Sequence, residues 1–137
     1  MKIIGIEHIG IATDDLSKGK KFWNQILNIS HTHSEEVENQ GTITDIYDTG
    51  NGKIELLLSK YPHSPIAKFI KKRGTGIHHI CLKVDSIDFA IKELKDNNIK
   101  LIGDHYTIGA EGHKVIFIHP SSTGGVLLEL AEEGTKD

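Results

Sequence analysis

An α+β fold made of two tandem βαβββ modules is what this sequence predicts. Three observations point there: an internal repeat, a switch from strand to helix periodicity inside each copy, and turn-separated strands behind each helix. The repeat is GIEHIGIATDDLSKG at residues 5–19 and GIHHICLKVDSIDFA at 76–90, 71 positions on. It sets His8 on His79, Ile9 on Ile80, Asp14 on Asp85 and Leu16 on Ile87. Self-similarity at a fixed shift marks a duplicated structural unit.

Each element can be justified in order. Ile9 and Ile11 alternate with His8, Gly10 and Ala12, and Ile80, Leu82 and Val84 alternate with His79, Cys81 and Lys83, the period-two pattern of a half-buried strand. Asp14/Asp15 and Asp85/Ser86 supply helix N-caps. Behind them Leu16, Lys20, Trp23 and Leu27, and Ile87, Ala90, Ile91 and Leu94, follow helical spacing. Asn97-Asn98 closes the second helix. In the first copy GTITDIYD (41–48) and KIELLLS (53–59) read as strands around a Gly50-Asn51-Gly52 turn, a hairpin signal, with 31–38 as a weaker strand before them. In the second, NIKLIGD (98–104), HKVIFIHP (113–120) and GVLLELA (125–131) are expected strands, the last preceded by a Ser121-Ser122-Thr123-Gly124 turn. A linker helix is expected at about 64–73. Ser64-Pro65 opens it, Ile66, Phe69 and Ile70 form its apolar stripe, and Arg73-Gly74 ends it. The organisation expected is one domain over 1–137, with module one at about 1–60 and module two at about 75–132.

Composition narrows the function classes. A hydrophobic content of 37% in 137 residues suffices for a folded interior, and no stretch approaches the roughly 18–20 apolar residues of a membrane helix. The start lacks a secretory pattern. One cysteine, Cys81, excludes an internal disulfide and suits a reducing compartment. Net charge is −3 with both signs interspersed, and nothing in this pattern argues for a nucleic-acid surface. The chain reads as cytoplasmic, with neither membrane nor nucleic acid among its partners. Lys68, Lys71, Lys72 and Arg73 cluster near the linker helix end, where a solvated face explains them better than an anion site.

Nine histidines make a high count, but His31, His33, His63 and His105 sit in polar, loop-like context. The repeat isolates a different set. His8 and His79 occupy equivalent first-strand positions, and Glu55 and Glu129, 74 positions apart, occupy nearly equivalent last-strand positions. A carboxylate buried uncompensated among leucines costs several kcal/mol, so each is expected to be paired, protonated or bound to metal. If the halves are related by a pseudo-two-fold axis, the sheet curves around a metal-binding cleft lined by His8, Glu55, His79 and Glu129. Two imidazoles and two carboxylates suit one divalent ion, Co, Zn, Ni, Mn or Fe, over a thiolate-preferring one. His78 points to the opposite face, and His119 before Pro120 reads as structural.

HIGIA (8–12), IELLLS (54–59), SPIAKFIKKRGTGIHHI (64–80), IGAEGHKVIFIHP (108–120) and GGVLLEL (124–130) resemble the vicinal-oxygen-chelate superfamily, and within it the methylmalonyl-CoA epimerases. Glyoxalase I shares the fold and ligand set, but its last strand usually follows an Asp-Pro-Asp-Gly-like turn that this chain lacks. The resemblance implies His8, His79 and Glu129 as ligands, with Glu55 at the fourth position. It also implies a homodimer acting on a small acyl-CoA through a metal-stabilised enolate, for which Glu129 and Glu55, on repeat-related strands, are the best-placed acid/base carboxylates. Where some relatives place an acid/base glutamate this chain has Thr44, with Asp45 turned to the other face. His113 and Ser121 stand where many relatives carry lysine. The alternatives are a lactoylglutathione lyase acting on a thiol adduct and a non-catalytic small-molecule-binding protein of the same fold.

Overall fold

The computed structural model describes residues 1–134. They form two compact units, residues 8–78 and residues 1–7 together with 79 onward. The fold class is the expected α+β.

The unit of residues 8–78 takes in the latter part of β1 (Ile3–Thr13), then α1 (Leu16–Lys20), β2 (Ser30–Val37), β3 (Thr42–Asp48), β4 (Lys53–Ser59) and α2 (Pro65–Arg73). Its strand order is β2-β3-β4-β1, with β1 parallel to β4 and the other pairs antiparallel. The Asp15 carboxylate accepts the Lys18 N–H at 3.0 Å and starts α1. The 3.6-residue spacing does not run on to Leu27, because residues Lys21–Ile26 widen into a π-turn in which Leu27 N–H reaches Phe22 O at 2.9 Å. A Cβ at Gly19 would collide with Leu56, so the missing side chain lets α1 lie against β4. Ser64 caps α2 through the Ala67 N–H at 3.2 Å, and Ile66 packs with Ala12, Leu57, Phe69 and Ile70 as the core.

The weak segment at 31–38 is a genuine strand at the sheet edge. His31 and His33, expected in loops, both lie in it, and its charge suits an edge that must not recruit other chains. The register of β2 on β3 shifts between His31 and His33: His31 lies opposite Tyr47, but His33 lies opposite Ile46. This β-bulge puts the two histidines on opposite faces, where plain alternation would keep them together.

The other unit contains β5 (Gly76–Val84) from His79 on, α3 (Ile87–Asp96), β6 (Leu101–Ile108), β7 (Lys114–Ile118) and β8 (Leu128–Glu132). The order β5-β8-β7-β6 repeats the plan of the first unit, with β5 parallel to β8. Ser86 caps α3 through the Phe89 N–H at 3.3 Å. Val84, Ile87, Ala90, Ile116, Ile118 and Leu130 form the core between helix and sheet. Residues 1–7 join this unit: Lys2 N–H donates to Asp85 Oδ1 at 2.9 Å, and Asp85 N–H returns to Lys2 O at 3.1 Å.

Several strand limits differ from expectation. The strand expected at 98–104 begins at Leu101, because Asn98 takes a left-handed φ of 59° and Ile99 N–H still closes on Leu94 O. It then continues to Ile108, so His105 lies in a strand too. The last strand starts at Leu128 because Gly124 and Gly125 have φ of 89° and 116° and belong to the turn. The seventh stops at Ile118, where His119 Nδ1 accepts the Ser121 N–H at 3.0 Å and opens a 3₁₀ turn. Among the described residues no helix is long and apolar enough to cross a membrane.

Candidate active site

Each unit brings one of the expected histidines to one of the expected glutamates. In residues 8–78 the parallel pairing of β1 with β4 sets Gly10 opposite Glu55, and His8, two residues earlier, points from the same face. His8 Nδ1 lies 3.0 Å from Glu55 Oε2, with both side chains buried. In the second unit Cys81 lies opposite Glu129, and His79 shares its face. His79 Nε2 lies 3.2 Å from Glu129 Oε1, again with both side chains buried. The His79 ring meets Phe117 edge-on, with centroids 5.6 Å apart. The same backbone plan, a first strand running parallel to the last strand of its module, therefore builds both pairs.

Both carboxylates are almost completely withdrawn from water, at 3% exposure for Glu55 and 4% for Glu129, and the group recorded beside each is an imidazole. Buried carboxylate oxygens next to imidazole nitrogens form an N/O donor set that fits a divalent ion.

The remaining histidines have other work. His78 packs edge-on against Phe69 of α2, as expected of its face. His63 stacks on Tyr61. His31 lies in a buried polar group: Ser34 Oγ donates to Asp45, Tyr47 OH reaches the other Asp45 oxygen at 3.4 Å, and His31 Nε2 stands 3.7 Å from the carboxylate. Burial, and then the Asp45 charge, push the Tyr47 hydroxyl up to about 12. Asp45 thus faces away from Glu55, as expected, since it pairs with Leu56.

A further cluster was not anticipated. Glu7, Glu111 and His113 bring their oxygen and nitrogen atoms within 4.8 Å of one another, and Glu7 is buried. His113 Nδ1 accepts the Gly134 N–H at 3.1 Å, so the neutral ring keeps its proton on Nε2 and has no lone pair left for a metal. A cavity of about 300 Å³, lined by Ile11, Phe22, Trp23 and Leu56 among others, includes none of the four ligand candidates.

Comparison with known proteins supplies the family. Residues 7–117 match the family described as Glyoxalase/Bleomycin resistance protein/Dioxygenase superfamily. The chain is 38% identical over 128 residues to the mitochondrial methylmalonyl-CoA epimerase of Bos taurus, covering 93% of this chain and 73% of that one. The crystal structure of methylmalonyl-CoA epimerase from Mycobacterium tuberculosis superposes with a TM-score of 0.93 at 30% identity, covering 97% and 90% of the two chains. A methylmalonyl-CoA epimerase in complex with methylmalonyl-CoA and NH4+ gives 0.92 at 28% identity, over 98% and 97%. With two buried His–Glu pairs on a duplicated βαβββ plan, and these likenesses over nearly its whole length, the chain belongs to the glyoxalase/bleomycin resistance/dioxygenase superfamily and, within it, to the methylmalonyl-CoA epimerase family.

Proposed function

We propose that this enzyme inverts C2 of methylmalonyl-CoA or a similar 2-acyl-CoA, and that His8, Glu55, His79 and Glu129 together hold one divalent ion. The observation that supports this reading best is the repetition of a buried His–Glu pair at equivalent strand positions of the two modules, in a chain related to epimerases. When bound, a divalent ion supplies Lewis-acid stabilisation of a developing enolate, worth several kcal/mol. His8 and His79 contribute neutral imidazole nitrogens, and the carboxylates add the negative charge that retains a cation in a buried place.

Inversion at C2 requires a proton to leave one face and another to arrive at the opposite face. Those transfers are assigned to carboxylates of the His–Glu pairs, Glu129 and Glu55 being the candidates of the two modules, each transfer contributing about 10²–10⁴-fold. The basic end of α2, with Lys71 and Lys72, gives modest electrostatic help to the CoA phosphates. Exposed Ile3, Ile4 and Ile6 in one unit and Phe22, Ile26 and Leu27 in the other suit a homodimer.

The test is turnover in heavy water with a 2-methylmalonyl thioester, run beside the methylglyoxal–glutathione adduct. Epimerisation with deuterium entering C2 is the expected result. Conversion of the adduct to a lactoyl thioester, with no exchange at C2, would replace this reading with the lactoylglutathione lyase. Activity on neither, with tight retention of a small ligand, would leave a binding protein.

A further inference from the structure

Glu55 sits against His8 at 3.0 Å, and a carboxylate that holds an ion must let go of it to take a proton. The same sheet face offers another carboxylate. Across the antiparallel pairing, Glu55 lies opposite Ile46, and Leu57, two residues on, lies opposite Thr44. Thr44 in turn lies opposite Glu35 on β2. Directly opposed residues share a face, so Glu35 points to the side that bears His8 and Glu55. The bulge between His31 and His33 is responsible, since without the register shift Glu35 would share the face of His31.

The other acids of β2, β3 and the loop after β2 are committed elsewhere. Glu36 and Glu38 bind Lys60 at 2.8 and 2.6 Å. Asp45 holds Ser34 and Tyr47 on the opposite face. Asp48 accepts the Gly50 N–H at the hairpin turn. Glu35 is part-buried at 31% side-chain exposure, and its Oε2 stands 3.6 Å from Nε2 of His33, itself 42% exposed. A carboxylate half in water with an imidazole at its back can trade protons with solvent.

We propose that Glu35, in place of Glu55, is the acid/base residue serving one face of C2, with His33 relaying its proton to water. The proposal rests on the epimerase reading above. In the step itself the C2–H bond breaks, its electron pair passes into the flanking carbonyls, and the proton goes to the Glu35 carboxylate. A carboxyl group on the opposite face then gives its proton to C2, and the enolate pair becomes the new C2–H bond. One proton leaves and one arrives, with no change of oxidation state. Strands about 4.8 Å apart and a same-face repeat of about 6.7 Å place the Glu35 and Glu55 Cα atoms on the order of 12 Å apart. A small acyl group together with two extended glutamate side chains spans a gap of that order.

The experiment compares wild type, E35Q, E35D and E35Q/T44E with a 2-methylmalonyl thioester of each configuration. Epimerisation and C2 deuterium uptake are followed, and metal content and melting temperature are recorded for every variant. E35Q is expected to lose about 10²–10⁴-fold in epimerisation, to exchange C2 in one configuration only, and to keep its metal and melting temperature. E35D should retain part of the rate. Moving the carboxylate to the directly opposed Thr44 should restore part of what E35Q loses. Wild-type turnover with undiminished E35Q overturns the Glu35 assignment and leaves the epimerase reading standing. Loss of metal or of folding in E35Q, with E35D equally impaired, makes the residue structural and overturns it too. A wild type inactive in both assays removes the epimerase reading itself, and this proposal with it.

Discussion

The two units share a plan but not a lining. Strand pairing aligns them position by position: Gly10 corresponds to Cys81, Thr44 to Val115 and Ile46 to Phe117 around the His–Glu pairs. On the other face Asp45 corresponds to Ile116 and Tyr47 to Ile118. The second unit is apolar at every one of these positions, and Cys81, Val115 and Ala131 form a small buried cluster beside Glu129. At the same positions the first unit has Thr44 on the face of its His–Glu pair and a hydrogen-bonded Asp45 behind it. Duplication thus kept the means of presenting a histidine and a glutamate while the surroundings diverged. Dry walls suit holding a ligand rigidly, whereas a polar wall suits moving protons.

The largest test of that contrast removes the proposed ligands themselves. Glu129→Gln should abolish epimerisation and C2 exchange together, while Glu55→Gln keeps more of its bound metal. His8→Ala and His79→Ala should both strip the ion, measured by metal analysis. In the metal-free proteins the second should be the less stable by about 1 kcal/mol, because it also loses the edge-on contact with Phe117. Equal melting temperatures would erase the distinction between the linings.

Behind the polar wall, Asp45→Ala should cost about 3 kcal/mol, since Ser34 and Tyr47 lose a charged acceptor in a buried place. Ultraviolet titration should then find Tyr47 ionising below its present value of about 12, because the nearby negative charge is gone and only burial holds it up. An unchanged titration would mean that Asp45 does not govern this face.

A smaller effect is shared by both units. Imidazole must be unprotonated to coordinate, so metal affinity should fall as pH drops through about 6.5. An affinity flat from pH 8 to 5 would speak against two histidine ligands. The smallest effect lies farthest from the pairs. Lys71→Ala with Lys72→Ala should raise KM a few-fold and leave kcat unchanged, as remote phosphate contacts act alike on ground and transition states. A large fall in kcat would bring α2 into the chemistry.

The ligand candidates were legible because duplication wrote them twice, and a residue pair at a fixed shift stands out where a lone strand histidine does not. Helix caps at Asp15, Ser64 and Ser86 were legible for local reasons, each side chain accepting an N–H three residues on. What escaped depends on register. The face of Glu35 is decided by one shifted hydrogen-bonding step near Thr32, and no residue type announces that shift. Glu7 escaped because its neighbours Glu111 and His113 lie more than a hundred residues downstream. The π-turn after α1 replaced a regular helix although Trp23 and Leu27 fit helical spacing.

Residues 1–7 belong with residues 79 onward, tied through Lys2 and Asp85. The Lys2 N–H holds the Asp85 carboxyl below its usual range, so this tie is at full strength above about pH 3.8 and is lost as acid protonates the group. The seam of the molecule is therefore not the seam of the duplication. A gene cut after Gly74 would yield a first fragment with seven misplaced residues and a second fragment missing them. A permuted gene that carries residues 1–7 to the far end of the second half would return them to their own unit. Fragments made that way should be the ones that fold apart and recombine in solution.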